Sequence, residues 1–470
     1  MAEIGTDDAR QLAGALRQVL EAAHRALGGE GRPSALVEKV TGHLGVPPAE
    51  MLAVSQSFPP WEHVNLQRGV DAYLTEPGWF GMSGHGLDHE DFLNILTNAA
   101  RHGMFELGRA RFGTAPTGPA TSTEVVELGL VHAVSPGGEA VVIGLRTAGE
   151  FSPSCRIDVL AASGRAATET RDEIVRLMRV HDVFRGQVLS FGVSEHHGNE
   201  LVTFLPRPPV RAADVILPDG VLDLIERHVV EVAEWSAELL AAGQHLKRGL
   251  LLHGPPGTGK THTVRYLISS LAHCTVILLT GPAMRFIDEA AALARRLQPS
   301  LVVLEDVDLV ATDRDLDGED GRPLLFSLLD AMDGVGGDAD VSFVLTTNRA
   351  SVLEKALAER PGRVDLAVEI PRPDAAGRAR LLALYGRGVD VQADPGPVVE
   401  ATEGVTASYV KELVRRAVLA ALRESGTTVL HDRHFAAAGA EMDHGGRQLT
   451  RVLLGADPGD SFDEDWDDED

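Results

Sequence analysis

Residues 254–261 read Gly-Pro-Pro-Gly-Thr-Gly-Lys-Thr, and no other stretch of the chain constrains its fold as tightly. A segment this rich in glycine and proline continues neither a strand nor a helix. Yet an apolar run of strand length, GLLLH (249–253), leads into it, and a helical pattern, KTHTVRYLISSL, leads out. That order gathers backbone N–H groups at a helix N-terminus, where the helix dipole favours an anion. The spacing fits G-x-x-x-x-G-K-[ST]. Gly254, Pro255, Pro256, Gly257, Thr258, Gly259, Lys260 and Thr261, with the adjoining His262, are therefore expected to bind the phosphates of a nucleotide. Lys260 is expected to reach the β and γ phosphates, and the Thr261 hydroxyl to ligate Mg²⁺. ATP and Mg²⁺ are the expected ligands.

The sequence around this loop predicts an α/β architecture. From about residue 211, apolar runs of strand length alternate with helical patterns: GLLLH, CTVILLT (274–280), LVVLE (301–305), VSFVLTT (341–347) and LAVEI (366–370). Near-continuous apolar strands separated by helices indicate a parallel sheet covered on both faces. The expected fold is a P-loop NTPase core of five parallel strands over 211–373, followed by a small helical lid subdomain over 374–445. Upstream, residues 1–112 read as a mainly helical region that begins with an amphipathic helix at 9–27. GTAPTGPATST (113–123) reads as a linker, and 124–206 as a small α+β domain that includes the strand-like run QVLSFGV. Pro206, Pro208 and Pro209 mark the next boundary. The last fifteen residues carry nine acids and little to bury, so 456–470 read as a disordered acidic tail.

A site that cleaves a nucleotide needs carboxylates near the metal and near the attacking water. LVVLEDVD supplies Glu305 and Asp306 at the end of a buried strand, with Asp308 just beyond. At this point the sequence resembles the AAA ATPases, whose corresponding strand usually ends Asp-Glu. Here the order is Glu-Asp. By position the resemblance gives Glu305 the metal role and Asp306 the role of the base. The stretch 343–378 resembles the second homology region of that family. It implies that Asn348 senses the γ-phosphate and that Arg360 and Arg363 are arginine fingers acting on ATP held by a neighbouring subunit. The segment 402–422 resembles the family's lid segment, with Ala407 and Ser408 where a Gly-Ala pair approaches the adenine. The resemblance covers about 211–445. It implies an ATP-hydrolysing homo-oligomer, a hexameric ring, that remodels a protein partner recruited through residues 1–210. The alternative is an assembly switch or scaffold that hydrolyses slowly and acts through its N-terminal domains.

The rest of the chain sets limits. A net charge of −26 argues against nucleic acid as a bulk partner. The two cysteines, Cys155 and Cys274, form neither a disulfide framework nor a metal-ligand spacing, which fits a cytoplasmic protein. No stretch approaches the ~20 apolar residues of a membrane span. The aromatic pore-loop signature of many AAA unfoldases is missing from 280–300. Phe286 is its one aromatic candidate there, and core packing is an equal reading of it. His85 and His89 have a spacing that would suit a metal on a helix, but Gly84, Gly86 and the lack of a third ligand weigh against one. His196 and His197 read as exposed loop, and Trp61, Trp79 and Trp235 as core or interface residues.

Overall fold

The computed structural model describes residues 34–76, 78–84, 87, 90–148, 154–192, 202–308, 330–332, 334–349 and 364–444. The expected N-terminal helix at 9–27, the two histidine pairs, Arg360, Arg363 and the acidic tail all lie outside these residues. The chain divides into two compact units. One takes Met1–Phe184 with Gly192–Phe204, and the other takes Arg185–Phe191 with Leu205–Asp470.

The first unit is built on a five-stranded antiparallel sheet of β1 (Leu52–Phe58), β2 (Arg111–Gly118), β3 (Thr121–Val134), β4 (Ala140–Ala148) and β5 (Ser154–Ala161). Its order is β1-β5-β4-β3-β2. Side chains along β4 alternate between two cores. Val142 faces Leu36, Val40, Phe92 and Ile95 of α1 (Ala35–Leu44) and α3 (Phe92–His102). Val141, Ile143 and Leu145 face Leu66, Val70, Ile174 and Met178 of α2 (His63–Tyr73) and α4 (Gly164–Val180). A sheet that is apolar on both faces needs a helical layer on each. The helices before residue 112 therefore belong with the strands after it, in one unit rather than two. The expected linker 113–123 is the β2–β3 hairpin itself. β2 is an edge strand, and an edge accommodates Pro116 because its missing N–H need not serve the ladder. β1 looks too polar to be a strand, but it is the opposite edge, and its seven residues pair in unbroken register with β5.

The second unit holds a parallel sheet of β6 (Val188–Phe191), β7 (Arg248–His253), β8 (Thr275–Thr280), β9 (Ser300–Glu305), β10 (Val341–Thr347) and β11 (Leu366–Glu369). Within this unit the strand order is β11-β7-β10-β9-β8-β6. The five expected strands are all present. β6 is an addition, since QVLSFGV was expected in the α+β domain and instead pairs parallel to β8. Arg207, just past the first proline of the boundary, donates to Gly186 O (3.1 Å), Leu271 O (3.0 Å), Cys274 O (2.9 Å) and Ile268 O. It thereby satisfies carbonyls at the C-terminal end of α5 (Lys260–Ser270), the helix that follows the glycine-rich loop.

Four helices follow, α7 (Ala375–Tyr385), α8 (Pro395–Ala401), α9 (Ala407–Ser425) and α10 (Asp432–His444), numbered after α6 (Ile287–Arg296) of the sheet region. They close around Leu381, Val410, Leu413, Ala417 and Phe435. The segment before the core alternates between the two hydrophobic clusters. Val215 and Leu217 are buried in the sheet cluster, while Ile216 packs on the helical one. Arg380 of α7 donates to Leu217 O (2.6 Å), and Arg387 pairs with Asp214.

Candidate active site

β7 ends at His253, and the next six residues turn through a loop that only glycine can build at two points. Gly254 has φ +142°, and a Cβ there would lie 2.3 Å from Ile370 O. Gly257 has φ +78°, and a Cβ there would meet Ser408 and Thr406 of the helical subdomain. Thr258 Oγ1 donates to Pro255 O (2.9 Å), tightening the turn. Gly259 opens α5, so Lys260 and Thr261 are its first residues.

Lys260 is 6% exposed, and its ammonium donates to Gly254 O (2.7 Å), Pro255 O (2.9 Å) and Asn348 Oδ1 (2.8 Å). Burial pulls its pKa down, and the negative charges of Asp306 and Asp308 pull it back up. Asn348 Nδ2 donates in turn to Asp306 Oδ1 (3.2 Å). Three side chains from three separate stretches of sequence thus form one hydrogen-bonded chain, Lys260–Asn348–Asp306.

Asp306 follows the last residue of β9 and has φ +56°, the one positive φ at a non-glycine among the described residues. Such a conformation is uncommon and costs energy for a residue with a Cβ. It is held there partly by its own N–H, which donates to Thr346 Oγ1 (2.9 Å). Asp308 Oδ1 accepts from Thr347 Oγ1 (2.9 Å) and from Asn348 N (3.0 Å).

Glu305 stands apart from that chain. Burial pushes its carboxyl pKa up, a hydrogen bond with the Thr261 hydroxyl opposes the shift, and the charge of Asp306 adds to it. Its Oε1 is buried with no protein hydrogen-bond partner. A buried carboxylate oxygen left without a donor, beside a hydroxyl, is a donor set suited to a hard cation such as Mg²⁺. The residues present therefore fit the metal that the loop implies.

His262 is turned away from the loop, with Nε2 donating to Asp214 O (3.0 Å). Ala407 is buried at the start of α9, and Ser408 N donates to Gly257 O (3.1 Å), so the helical subdomain rests directly on the loop. Phe286 lies 5.8 Å from Phe191 of β6, ring to ring, with the Arg285 guanidinium over its ring at 4.9 Å from the centroid. Phe286 is half-buried and lies in neither the sheet cluster nor the helical cluster of this unit. Trp79 packs against the core of the first unit, whereas Trp235 is 58% exposed. Sequence reasoning gave no part in the site to Thr346, Thr406 or Asp214. The doubled threonine at the end of β10 was the one available signal, since a polar pair closing an apolar strand has to face something polar.

Residues 250–372 match the family described as ATPase family associated with various cellular activities (AAA). They are an AAA domain. Curated proteins similar to this chain align over less than half of it. The 26S protease regulatory subunit 6A of Caenorhabditis elegans is 30% identical over 206 residues, 40% of this chain and 47% of its own. The proteasome-activating nucleotidase of Methanocaldococcus jannaschii is 32% identical over 234 residues, 46% of this chain and 54% of its own. The ATP-dependent zinc metalloprotease FtsH 2 of Symbiobacterium thermophilum is 34% identical over 230 residues, 46% of this chain and 39% of its own. The chain thus spans about half the length of the curated relatives it matches. The matched AAA segment contains the glycine-rich loop, both acidic strand-end residues and Asn348.

Proposed function

We propose that this chain hydrolyses ATP as a homo-oligomeric ring, a hexamer, and uses the energy to remodel a protein partner recruited through residues 1–210. The observation that carries the proposal is the hydrogen-bonded chain Lys260–Asn348–Asp306 beside the orphaned Glu305 oxygen. Lys260 would exchange its loop carbonyls for the β and γ phosphates. Asp306 would accept a proton from the attacking water, and the Asn348 amide would hold that water against the γ-phosphate. Glu305 and Thr261 would hold Mg²⁺, which when bound neutralises phosphate charge. The left-handed backbone at Asp306 bears on the reversed Glu-Asp order. It turns the chain off the strand axis at the residue with the shorter side chain, so main-chain geometry can make up a missing methylene. Arg360 and Arg363 would complete the site from the neighbouring copy, which makes turnover depend on assembly. Ala407 and Ser408 would close over the base.

The names of the relatives pair nucleotide hydrolysis with protein breakdown, as in proteasome-activating nucleotidase and ATP-dependent metalloprotease. That supports a protein as the object of the work. The net charge of −26 disfavours nucleic acid, and no described helix is long and apolar enough to cross a membrane. Two free, buried thiols suit a cytoplasmic setting.

The test is steady-state ATPase of wild type, Lys260→Ala, Asp306→Asn and Arg360→Ala, with particle size measured with and without ATP. Turnover of about 1 s⁻¹ or more in wild type alone, on a ring, is the expected result. A ring with near-background turnover would replace this reading with the ATP-dependent scaffold. The feature that favours the scaffold is the missing aromatic pore-loop signature in 280–300, where Phe286 is the one aromatic residue.

A further inference from the structure

We infer that Asp308 is a positioning residue of this site, fixing the end of β10 so that the Asn348 amide is held against Asp306. The inference rests on the hydrolytic reading above and adds to it a residue that touches neither phosphate nor water.

The backbone ladder between β9 and β10 ends at the pair Leu304–Leu345. Beyond it the catalytic side chains sit on two strand ends that no longer share main-chain hydrogen bonds in that register. Side chains join the ends instead. Thr346 Oγ1 accepts from Asp306 N (2.9 Å), which ties β10 to the start of the acidic turn. Asp308 ties the turn back to β10, since its Oδ1 accepts from both the Thr347 hydroxyl (2.9 Å) and Asn348 N (3.0 Å). Thr347 Oγ1 accepts in turn from Arg349 N (3.0 Å), which fixes the residue on the far side of Asn348. The main chain at Asn348 is therefore pinned on both sides before its side chain reaches into the site. Only then can one amide present its oxygen to Lys260 (2.8 Å) and its nitrogen to Asp306 (3.2 Å).

Asp308 is 4% exposed. A carboxylate at that depth costs energy that a neutral residue would avoid. What it supplies is one oxygen accepting two donors from adjacent residues, in bonds stronger than neutral ones. Releasing them would let Asn348 drift, and a misplacement of ~1 Å can cost ~10²-fold in rate.

The experiment is ATPase kinetics on full-length wild type, Asp308→Ala and Asp308→Asn, with crystal structures of wild type and Asp308→Ala. Asp308→Ala is expected to lower kcat by about 10- to 100-fold while KM for ATP stays within about 3-fold. Asp308→Asn keeps an acceptor oxygen in place and should restore most of that loss. In the Asp308→Ala crystal structure the Asn348 amide should lie beyond hydrogen-bond distance of Asp306. The inference is overturned if kcat of Asp308→Ala stays within about 3-fold of wild type, if the asparagine variant restores nothing, or if the amide has not moved. Should wild type itself turn over no faster than Lys260→Ala, the hydrolytic reading fails, and the position of the Asn348 amide alone decides the role of Asp308.

Discussion

Replacing Gly257 by alanine tests how closely the helical subdomain is seated on the loop. The residue has φ +78°, and an L side chain in that region costs about 1–2 kcal/mol. The added Cβ would lie 2.9 Å from Ser408 Oγ, 3.1 Å from Ser408 Cβ and 3.1 Å from Thr406 Oγ1. Thr406 is fully buried as the N-cap of α9, so it cannot swing aside freely, and overpacking of this kind costs about 1–3 kcal/mol. The helical subdomain can relieve the contact by retreating, which stretches the 3.1 Å bond from Ser408 N to Gly257 O. The loss should therefore appear in ATP binding more than in unfolding. A loss of about 2 kcal/mol raises Kd by about 30-fold. Calorimetric titration of ATP into full-length Gly257→Ala measures it. The double variant Gly257→Ala/Ser408→Gly removes both serine contacts but leaves the backbone term and the Thr406 contact. Compared with Ser408→Gly alone, it should recover roughly half of the lost free energy, as judged by a double-mutant cycle. A single variant that binds ATP within 2-fold of wild type, or a double variant no better than the single, would refute the reasoning.

Other outcomes follow from the same geometry. Arg207→Met leaves four carbonyls around the end of α5 without their donor and should lower stability by about 2–4 kcal/mol, read as a fall in the thermal midpoint of the second unit. Glu305→Gln should raise the Mg²⁺ concentration needed for half-maximal ATPase by 10-fold or more. In wild type the same requirement should rise as pH falls, because burial already pushes the Glu305 carboxyl up and a proton competes with the cation. Burial also drives His132 down to about 4, helped by His43 and Lys39, and lowers His63 and His228. These histidines take up protons more readily when unfolded, so stability should fall as pH drops from about 6.5 towards 4 and be fully present above that window. Urea unfolding of His132→Gln should show a shallower slope there, and an unchanged slope would count against the assignment.

The parts of the molecule that could be read from sequence are those in which one residue type has one physical use. Three glycines set between an apolar run and a helix leave few alternatives, and Gly254 and Gly257 adopt backbone angles that other residues avoid. The four buried strands β7, β8, β9 and β10 announced themselves because a parallel sheet covered on both faces has no polar face to break the apolar run. β1 and β2 of the first unit failed to announce themselves for the opposite reason. Edge strands carry proline, serine and glutamine freely, so LAVSQSF passes as part of a helical region and GTAPTGP as a linker, although the first is paired along its length and Gly113–Pro116 of the second pair with β3. The site divides in the same way. Glu305, Asp306 and Lys260 are legible because acids closing a buried strand, or a lysine after glycine, need an explanation. Thr346 and Asp214 are not, because what they do depends on a partner brought close by the fold, Asp306 N and His262 respectively; Asp308 stands out in sequence as a third acid, but its tie to Asn348 N does not. The reversed Glu-Asp order shows where the two kinds of knowledge meet. In sequence it is a shortened side chain in the wrong place, whereas in three dimensions it coincides with the one left-handed non-glycine among the described residues. A defect in side-chain length and an excess of backbone strain at the same residue are more simply read together than apart. From that backbone the Asp306 carboxylate accepts from the Asn348 amide.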